Sequence, residues 1–514
     1  FIQPTPVLAE GEFTTNYDIT YEVGVDGITN VVENITLVNT TDKFYASSYS
    51  FSISSTEMFD ISAVDPNGPL ETKISTESNR TVISVQFNEQ VVGKDKQYNW
   101  QLRYKSRDFA QSQGKVWQIT IPRAPKLNSG DKFNLSLVVP VSFGDPTTIV
   151  PEPSKTSESN GQLRMRYTKD QIQESGILAN FGSEQIFDYQ LVYNLDNPNI
   201  LPAIAKLPLP PDTNYQSVII NQIEPKPDNV TVDDDGNYLA WFKVPRQSKL
   251  DVSIKGLAKL TLNSSKTAEK LSDEKIKTYT KSDQYWDTNN PIMKTTLDEI
   301  LKDQSSATNQ QKAQLINKYV VTLLKYNDAR VEKEDFQRLG ALTALNNPDQ
   351  SLCNEYTDLF VTLARAAGIP ARRLEGYAYT ANTQIRPLSL GTTLLHAWPE
   401  YYDDQRGWVM IDPTWESSND GVNYFNRFDL NHFVLSVMGT SSTEPSTGGQ
   451  VNVSFAEGKF EPTKQVEISL DAPAEVLSGI PAKAYVELVN TGSIAQPINS
   501  LGIKSIDQML LKET

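Results

Sequence analysis

Three kinds of side chain in this sequence could together attack a carbonyl carbon: a thiol, an imidazole and a carboxylate. The chain has a single cysteine, Cys353, and two histidines, His396 and His432. A thiolate is a strong nucleophile, an imidazole exchanges protons near neutral pH, and a carboxylate holds the ring in one tautomer. So few cysteines and histidines exclude a disulfide framework and a cysteine- or histidine-rich metal site. We therefore expect neither a metal nor a cofactor.

The residues after Cys353 have the spacing of a buried helix. Apolar side chains recur three and four positions apart between residues 356 and 367. Gly368 and Pro370 are typical of a helix end, and Ser351 is suited to the N-cap position. This pattern places Cys353 in the first helical turn, where unpaired amide groups and the positive end of the helix dipole stabilise a thiolate.

Two strand-like segments follow this helix and carry the other two groups. The first, 396–402, begins with His396, and the second, 408–411, leads directly into Asp412. A turn at 403–407 makes the two segments natural neighbours in an antiparallel sheet. Asp412 would then lie beside the His396 ring and orient it, although an aspartate before a proline is also typical of a plain turn.

The sequence around these residues resembles the transglutaminase-like superfamily of papain-like cysteine enzymes, in its bacterial multidomain form. The resemblance covers residues 290–440, and its segments occur in the family's order. One departure is Ser351, because the family usually has glycine two positions before the cysteine. Besides Cys353, the segments that carry the resemblance are Leu363-Ala364-Arg365-Ala366-Ala367-Gly368-Ile369-Pro370-Ala371-Arg372, Glu375-Gly376-Tyr377, His396-Ala397-Trp398-Pro399-Glu400 and Trp408-Val409-Met410-Ile411-Asp412-Pro413-Thr414.

The resemblance implies a papain-like fold and a covalent thioester, formed when the thiol attacks an amide. By motif position, Cys353 is the nucleophile, His396 the acid–base and Asp412 the orienting carboxylate. The oxyanion would be stabilised by the backbone amide of Cys353 and by a second donor from upstream in the chain. Tyr326 and Gln350 are the two candidates for that donor.

Other residues near these motifs have plainer interpretations. Trp398 and Trp415 would pack around the site, and forming a wall for the substrate is the alternative for them. His432 is interpreted as structural. Arg372 and Arg373 are interpreted as partners of structural carbonyls or carboxylates rather than of substrate.

The charge of the chain excludes one class of partner. The formal net charge is −16 and the sequence pI is near 4.8, with no basic stripe to offset them. Such a surface repels phosphate backbones, so we expect no nucleic-acid partner, and solubility explains the acidity most simply. The acidic segment 233–237 lacks the ligand spacing of a calcium loop and indicates a hairpin turn.

A chain of 514 residues is too long for one hydrophobic core. We predict a multidomain α+β protein in which a papain-like transglutaminase core is flanked by antiparallel β-sandwich domains. The predicted divisions are a signal-peptide remnant (1–10), a β-sandwich (11–150), a linker (151–182), a second β-rich domain (183–265), the catalytic domain (266–440) and a C-terminal, Ig-like β-rich domain (441–514).

Together these features predict an exported bacterial enzyme, extracellular or at the cell surface, that acts on a protein or peptide. The leading reaction is hydrolysis of a peptide or side-chain amide through a thioester. Amine transfer by a protein-glutamine transglutaminase is the first alternative. A second alternative is a papain-like domain that binds peptides, or scaffolds a cell-surface assembly, without catalysis. The sequence leaves the substrate and the oligomeric state open.

Overall fold

The computed structural model describes residues 12–495 apart from 56, 77–79, 115, 125–126, 145, 174, 263–269, 303, 305, 381–386, 389–394, 419–421, 427, 446, 457 and 476–481. Within these residues the protein is mostly β, with its helices concentrated in one part of the chain. The predicted signal-peptide remnant and the last part of the predicted C-terminal domain lie outside the described residues. None of the described helices has the length and apolar character needed to cross a bilayer.

The first β-rich unit runs to Phe181. Several of its long strands alternate between buried apolar and more exposed polar side chains, which is the pattern of sheets with one face toward a core. Its elements are β1 (Phe13–Val23), β2 (Thr29–Asn39), β3 (Tyr45–Ile53), β4 (Met58–Asp65), β5 (Gly68–Pro69), β6 (Glu71–Thr76), β7 (Thr81–Val92), β8 (Gln97–Ser106), β9 (Ala110–Gln113), β10 (Val116–Ile121), β11 (Lys132–Pro140), β12 (Pro146–Val150), β13 (Lys155–Ser159), β14 (Gln162–Thr168), α1 (Lys169–Ile172) and β15 (Ile177–Phe181).

Three sheets surround the core of this unit. Their strand orders are β13-β14-β11-β1-β2-β8-β4-β5, β12-β15-β10-β9 and β3-β7-β6, and all three contribute to one cluster of buried apolar side chains. The prediction of an antiparallel β-sandwich fails for one strand pair of this unit, because β1 pairs with β11 in parallel. The predicted linker at 151–182 was also wrong. Its polar composition reflects the exposed edge strand β13, which pairs with β14, whereas β15 is fully buried.

The second unit pairs strands that are far apart in the sequence. It contains β16 (Glu184–Asn197), β17 (Ala203–Leu209), β18 (Gln216–Glu224), β19 (Asn229–Val232), β20 (Tyr238–Val244) and β21 (Ser248–Thr261). They form the sheets β18-β21-β16-β26 and β17-β20-β19, where β26 is the distant segment Gln450–Phe455. The predicted C-terminal domain therefore starts too early, because β26 pairs with β16. The hairpin predicted at 233–237 is confirmed, since it joins antiparallel β19 and β20.

The helical part of the chain surrounds one long, buried helix. The elements are α2 (Asp273–Thr280), α3 (Pro291–Ile300), α4 (Asn309–Leu323), α5 (Asp328–Glu332), α6 (Ala341–Asn346), α7 (Cys353–Ala366), β22 (Ala371–Ala378), β23 (Leu395–Asp403), β24 (Gly407–Met410), α8 (Pro413–Ser418) and β25 (His432–Met438). The strands form one sheet in the order β24-β23-β22-β25. Apolar side chains of α3, α4, α6 and α7 share a core with this sheet, which makes α7 a rigid support for the residue at its N-terminus.

Strand β25 lies at an edge of this sheet, and side chains of the second unit cover its free backbone groups. The Gln216 amide bonds both backbone groups of Val434, accepting from N–H at 2.8 Å and donating to C=O at 2.9 Å. Asn237 makes the same pair of bonds with Val437, at 2.7 and 2.8 Å. Since each amide replaces the hydrogen bonds of a neighbouring strand, the second unit holds this edge of the four-stranded sheet in place.

The described C-terminal residues form a hairpin of β27 (Val466–Asp471) and β28 (Tyr485–Asn490). Strand β27 is exposed along its whole length. An Ig-like domain in this part of the chain stays a prediction.

Candidate active site

Cys353 is the first residue of α7, as the helix pattern predicted, but its N-cap is Leu352 and not Ser351. The Leu352 side chain offers no acceptor to the first helical N–H groups. Glu355, in the first turn, instead accepts hydrogen bonds from the backbone N–H of Leu352 at 2.9 Å and of Leu339 at 2.8 Å, both of which precede the helix. The loop before the thiol is therefore fixed by a buried side chain further along the chain.

The predicted pairing of His396 with Asp412 is confirmed by the geometry. Strands β23 and β24 are antiparallel, with Glu400 opposite Met410. Asp412 follows β24 and reaches back, so that its Oδ2 lies 3.0 Å from Nε2 of His396. Both side chains are fully buried, as is Cys353. With Nε2 committed to Asp412, Nδ1 is the ring nitrogen left to exchange a proton with the thiol.

The Asp412 carboxylate is held in its ionised form. Its Oδ1 accepts the backbone N–H groups of Thr414 at 2.9 Å and Trp415 at 3.0 Å, at the start of α8. Burial alone would raise the pKa of Asp412, but the charges and hydrogen bonds of His396 and His432 outweigh it and hold that pKa well below its usual value. A permanent negative charge therefore lies beside the His396 ring.

That charge sets the protonation of His396. Burial disfavours the imidazolium, but the Asp412 carboxylate and its hydrogen bond, with a smaller contribution from Cys353, raise the pKa of His396 to about 9. The ring can therefore hold a proton taken from the thiol at neutral pH. This is the electrostatic condition for a thiolate–imidazolium pair.

His432 belongs to the site, which the sequence interpretation as a structural residue missed. Its Nε2 lies 3.2 Å from the same Asp412 Oδ2 that contacts His396. Its Nδ1 lies 2.7 Å from Oδ1 of Asp429. A weak signal was available, because Asp429 and His432 stand three residues apart and the chain has only one other histidine. Their approach to Asp412 depends on β25 lying two strands away from β23.

The same three side chains have the spacing of a possible metal site. The nearest ligand atoms of His396, Asp412 and His432 lie within 4.8 Å of one another. Both Nε2 atoms are already within hydrogen-bond distance of the carboxylate, so we interpret the cluster as hydrogen-bonded. The absence of a metal and of a cofactor stays a prediction.

Aromatic rings enclose the His396 imidazole. The Trp398 ring stacks at a centroid distance of 5.9 Å and the Trp415 ring at 5.4 Å. Both tryptophans are fully buried. They therefore restrict the rotation of the His396 ring and lower the polarity around it, which is the packing role expected for them. A wall for the substrate would need these rings to be accessible.

The two candidates for a second oxyanion donor lie in different surroundings. The backbone of Tyr326 pairs with Ser351, two residues before Cys353. Gln350 is exposed, and its carbonyl accepts a hydrogen bond from Arg330 at 2.6 Å. The structure thus places Tyr326 beside the loop that carries the thiol, and it does not bring the Gln350 side chain into the buried site.

Arg372 and Arg373 have the structural roles that were predicted for them. Arg372 pairs with Glu400 and donates to the backbone carbonyl of Asp235 at 3.2 Å. Arg373 bonds the Glu375 carboxylate at 2.9 Å. Both guanidinium groups are used inside the protein, so neither is a substrate contact in this conformation.

Comparison with known proteins agrees with this geometry. Residues 294–413 match the transglutaminase-like superfamily, so the chain contains a transglutaminase-like core domain and the predicted resemblance is confirmed. Members of this superfamily are typically cysteine-dependent enzymes. A protein-glutamine gamma-glutamyltransferase of Pseudomonas aeruginosa is 37% identical over 76 residues, which are 14% of this chain and 11% of that protein. The chain thus matches only about a tenth of that relative's length.

Two solved structures resemble larger parts of the chain. A proposed cysteine protease from Cytophaga hutchinsonii covers 62% of this chain and 94% of its own, with 14% identity and a TM-score of 0.35. A proposed protease from Parabacteroides distasonis covers 88% of this chain and 71% of its own, with 11% identity and a TM-score of 0.25. With TM-scores this low, neither structure informs the reaction of this chain.

Proposed function

We propose that this protein is a cysteine-dependent acyl-transfer enzyme with a papain-like catalytic core, and that it hydrolyses an amide of a protein or peptide outside the cell. The observation that carries the proposal is the buried Cys353 at a helix N-terminus together with the His396–Asp412 pair at 3.0 Å. A scaffold needs no such pair, because a buried ionised carboxylate beside an imidazole is costly unless it is used or compensated.

The reaction follows from the protonation states. His396 takes the thiol proton on Nδ1, and the Cys353 thiolate attacks the amide carbonyl carbon to form a tetrahedral oxyanion. The imidazolium then gives its proton to the leaving nitrogen as the C–N bond breaks, which leaves a thioester on Cys353. In the second half, His396 takes a proton from water, the water oxygen attacks the thioester, and the acid is released as the thiol is re-formed.

Substrate entry requires a change in the surroundings of the thiol. Cys353, His396 and Asp412 are each fully buried in this conformation, and a substrate carbonyl must approach within about 3 to 3.5 Å of the sulfur to react. The buried state keeps water away from the ion pair until substrate arrives.

Amine transfer is the second candidate, supported by the match to the Pseudomonas aeruginosa gamma-glutamyltransferase. In this reaction a primary amine replaces water as the attacking group on the thioester. The two reactions share every step up to the thioester, so only the products separate them.

The test is to incubate the protein with glutamine-containing peptides and a primary amine, and to measure product masses. Hydrolysis predicts shortened peptides or deamidated glutamine, and amine transfer predicts the amine adduct. Cys353→Ala must abolish either product, whereas Asp403→Asn, a carboxylate-to-amide change at the far end of β23, must leave it intact. If no product forms and Cys353→Ala retains the biological effect of the wild type, the protein is a scaffold and the proposal is wrong.

A further inference from the structure

The Asp412 carboxylate lies within hydrogen-bond distance of two imidazole rings. Its Oδ2 faces Nε2 of His396 at 3.0 Å and Nε2 of His432 at 3.2 Å, while Oδ1 is occupied by two backbone N–H groups. An ionised carboxylate only accepts hydrogen bonds, so both Nε2 atoms must carry a hydrogen. This fixes the tautomer of His396 and one proton of His432.

The other nitrogen of His432 also faces a carboxylate. Its Nδ1 lies 2.7 Å from Oδ1 of Asp429, and that oxygen also accepts the backbone N–H of Asn431 at 2.9 Å. A neutral imidazole has one N–H and would leave one of its two nitrogens facing an acceptor without a proton. With both carboxylates ionised, hydrogen bonds to both of them require the imidazolium.

The position of His432 is set from all sides. Its ring contacts those of Trp415 and Phe428 at centroid distances of 4.4 Å and that of Trp398 at 4.8 Å. Its strand, β25, is held on one edge by β22 and on the other by the Gln216 amide at Val434. A ring so enclosed cannot turn away from Asp412 without disturbing the core.

We propose that His432 is a positioning residue of the active site, an imidazolium that is held between Asp429 and Asp412, orients the Asp412 carboxylate toward His396 and neutralises part of its charge. The inference rests on the proposed function, because it assigns a role in the same acyl-transfer reaction. His432 does not touch the reacting atoms, and it acts through Asp412.

The proposed charge has a direct effect on His396. The two imidazole rings are 5.8 Å apart, and two like charges at about that separation shift a pKa by about two units at an effective dielectric constant of about 20. The Asp429 charge offsets part of this effect, so we expect His432 to lower the pKa of His396 by about one unit. A lower pKa makes the imidazolium a better proton donor to the leaving nitrogen.

Other titratable groups also act on this centre from the elements around it. From β23 and α7, His396 interacts with Asp412 and with Cys353, and burial raises the pKa of Tyr356 so that this side chain stays neutral. From α8, burial raises the pKa of Glu416 to about 7, and the negative charges of Glu416 and Asp412 repel each other. For His432 itself, burial disfavours the protonated ring, but the charge of Asp429 and the hydrogen bonds to Asp412 and Asp429 raise the pKa of His432.

The test uses the fact that the chain contains only two histidines. With ¹⁵N-labelled histidine, NMR reports the protonation of each ring nitrogen as the pH changes, and it needs no substrate. In the wild-type protein we expect the His432 ring to carry protons on both nitrogens through neutral pH. Its signals are assigned with His432→Gln or, if that variant does not fold, with His396→Gln. A neutral His432 ring overturns the proposal, and a spectrum in which neither ring carries two protons overturns it without any assignment.

Two variants and one control test the coupling. His432→Gln keeps an N–H donor near Asp412 but removes the charge, and it should raise the pKa of His396 by about one unit. Asp429→Asn should remove one proton from His432 near neutral pH. Ser436→Ala removes a buried hydroxyl from the same strand and should shift neither ring. An unchanged His396 pKa in folded His432→Gln overturns the proposal.

An activity measurement separates this proposal from the proposed function. If the protein hydrolyses amides, the alkaline limb of its kcat/KM profile should move up by the same unit in His432→Gln, because that limb reports the loss of the His396 proton. If no turnover is found with any amide, the proposed function fails while the histidine spectrum still decides the protonation and coupling of His432. An alkaline limb that does not move while the His396 pKa does would overturn the role in proton transfer.

Discussion

The substitution Asp412→Asn removes the charge on which the active site depends. In the wild-type protein the pKa of His396 is about 9, against an ordinary value of 6.5. That difference corresponds to about 3 kcal/mol in favour of the imidazolium. Asparagine retains the size of the side chain but loses the negative charge, so burial then opposes the imidazolium without compensation. We expect the pKa of His396 to fall to its ordinary value or below.

The effect on the thiol follows from the same numbers. Formation of the thiolate–imidazolium pair requires His396 to hold the thiol proton, so a fall of two and a half units lowers the population of the pair by about 10²-fold at neutral pH. Alkylation of Cys353 by iodoacetamide measures this population, because the chain has no other thiol. The ultraviolet absorbance of the thiolate, taken against Cys353→Ala, measures it without any need for reagent access.

The control is Asp403→Asn. Asp403, at the end of β23, is a buried carboxylate like Asp412, and it accepts backbone hydrogen bonds from Gln405 at 3.0 Å and Arg406 at 2.9 Å. In the Asp403→Asn variant, Cys353 should be alkylated at the same rate as in the wild-type protein. If Asp412→Asn retains the wild-type thiolate signal at neutral pH, Asp412 does not support the imidazolium and the electrostatic reasoning is refuted.

Two further predictions concern stability. Burial raises the pKa of Glu416 to about 7 from 4.5, so the folded state loses stability as pH rises through that range. Glu416→Gln removes this loss. In denaturant titrations, the unfolding free energy of the variant minus that of the wild type should rise by about 3 kcal/mol between about pH 5 and about pH 8. A difference that does not change with pH would contradict this. Gln216→Ala leaves both backbone groups of Val434 without the amide and should lower the free energy of unfolding by about 2 to 4 kcal/mol. The control Gln222→Ala changes an exposed side chain and should leave that free energy almost unchanged. Equal effects would show that the Gln216 amide does not hold β25.

The second β-rich unit does more than flank the domain that contains the site, because its side chains bind the strand that carries His432. Gln216 and Asn237 bond the backbone of β25 at Val434 and Val437, and the carboxylate of Asp235 accepts the backbone N–H of Gly439 at 3.0 Å, just beyond β25. These contacts fix the strand that begins with His432. A change in this unit can therefore alter the active site through the position of β25, without contact with Cys353.

Much of the fold could be predicted because it depends on local patterns. Apolar spacing and a Gly–Pro end identified α7, and period-two alternation identified strands such as β1 and β16. The errors came from pairings between distant segments. Residues 151–182 were assigned to a linker because their composition is polar, but β14 pairs with β11 and β15 with β10. Composition cannot reveal which strand lies beside another.

The sequence by itself was enough to propose the nucleophile, its acid–base partner and the orienting carboxylate, because one thiol, two imidazoles and three ordered motifs leave little choice. It also predicted that Cys353 begins a helix and that His396 and Asp412 lie on neighbouring strands. Only the tertiary structure placed His432 beside Asp412, because that contact joins residues of separate elements and no local pattern encodes it. Only the tertiary structure showed the hydrogen bonds from Glu355 to the loop before Cys353 and the amides that hold β25, since buried polar groups find partners wherever folding brings them together.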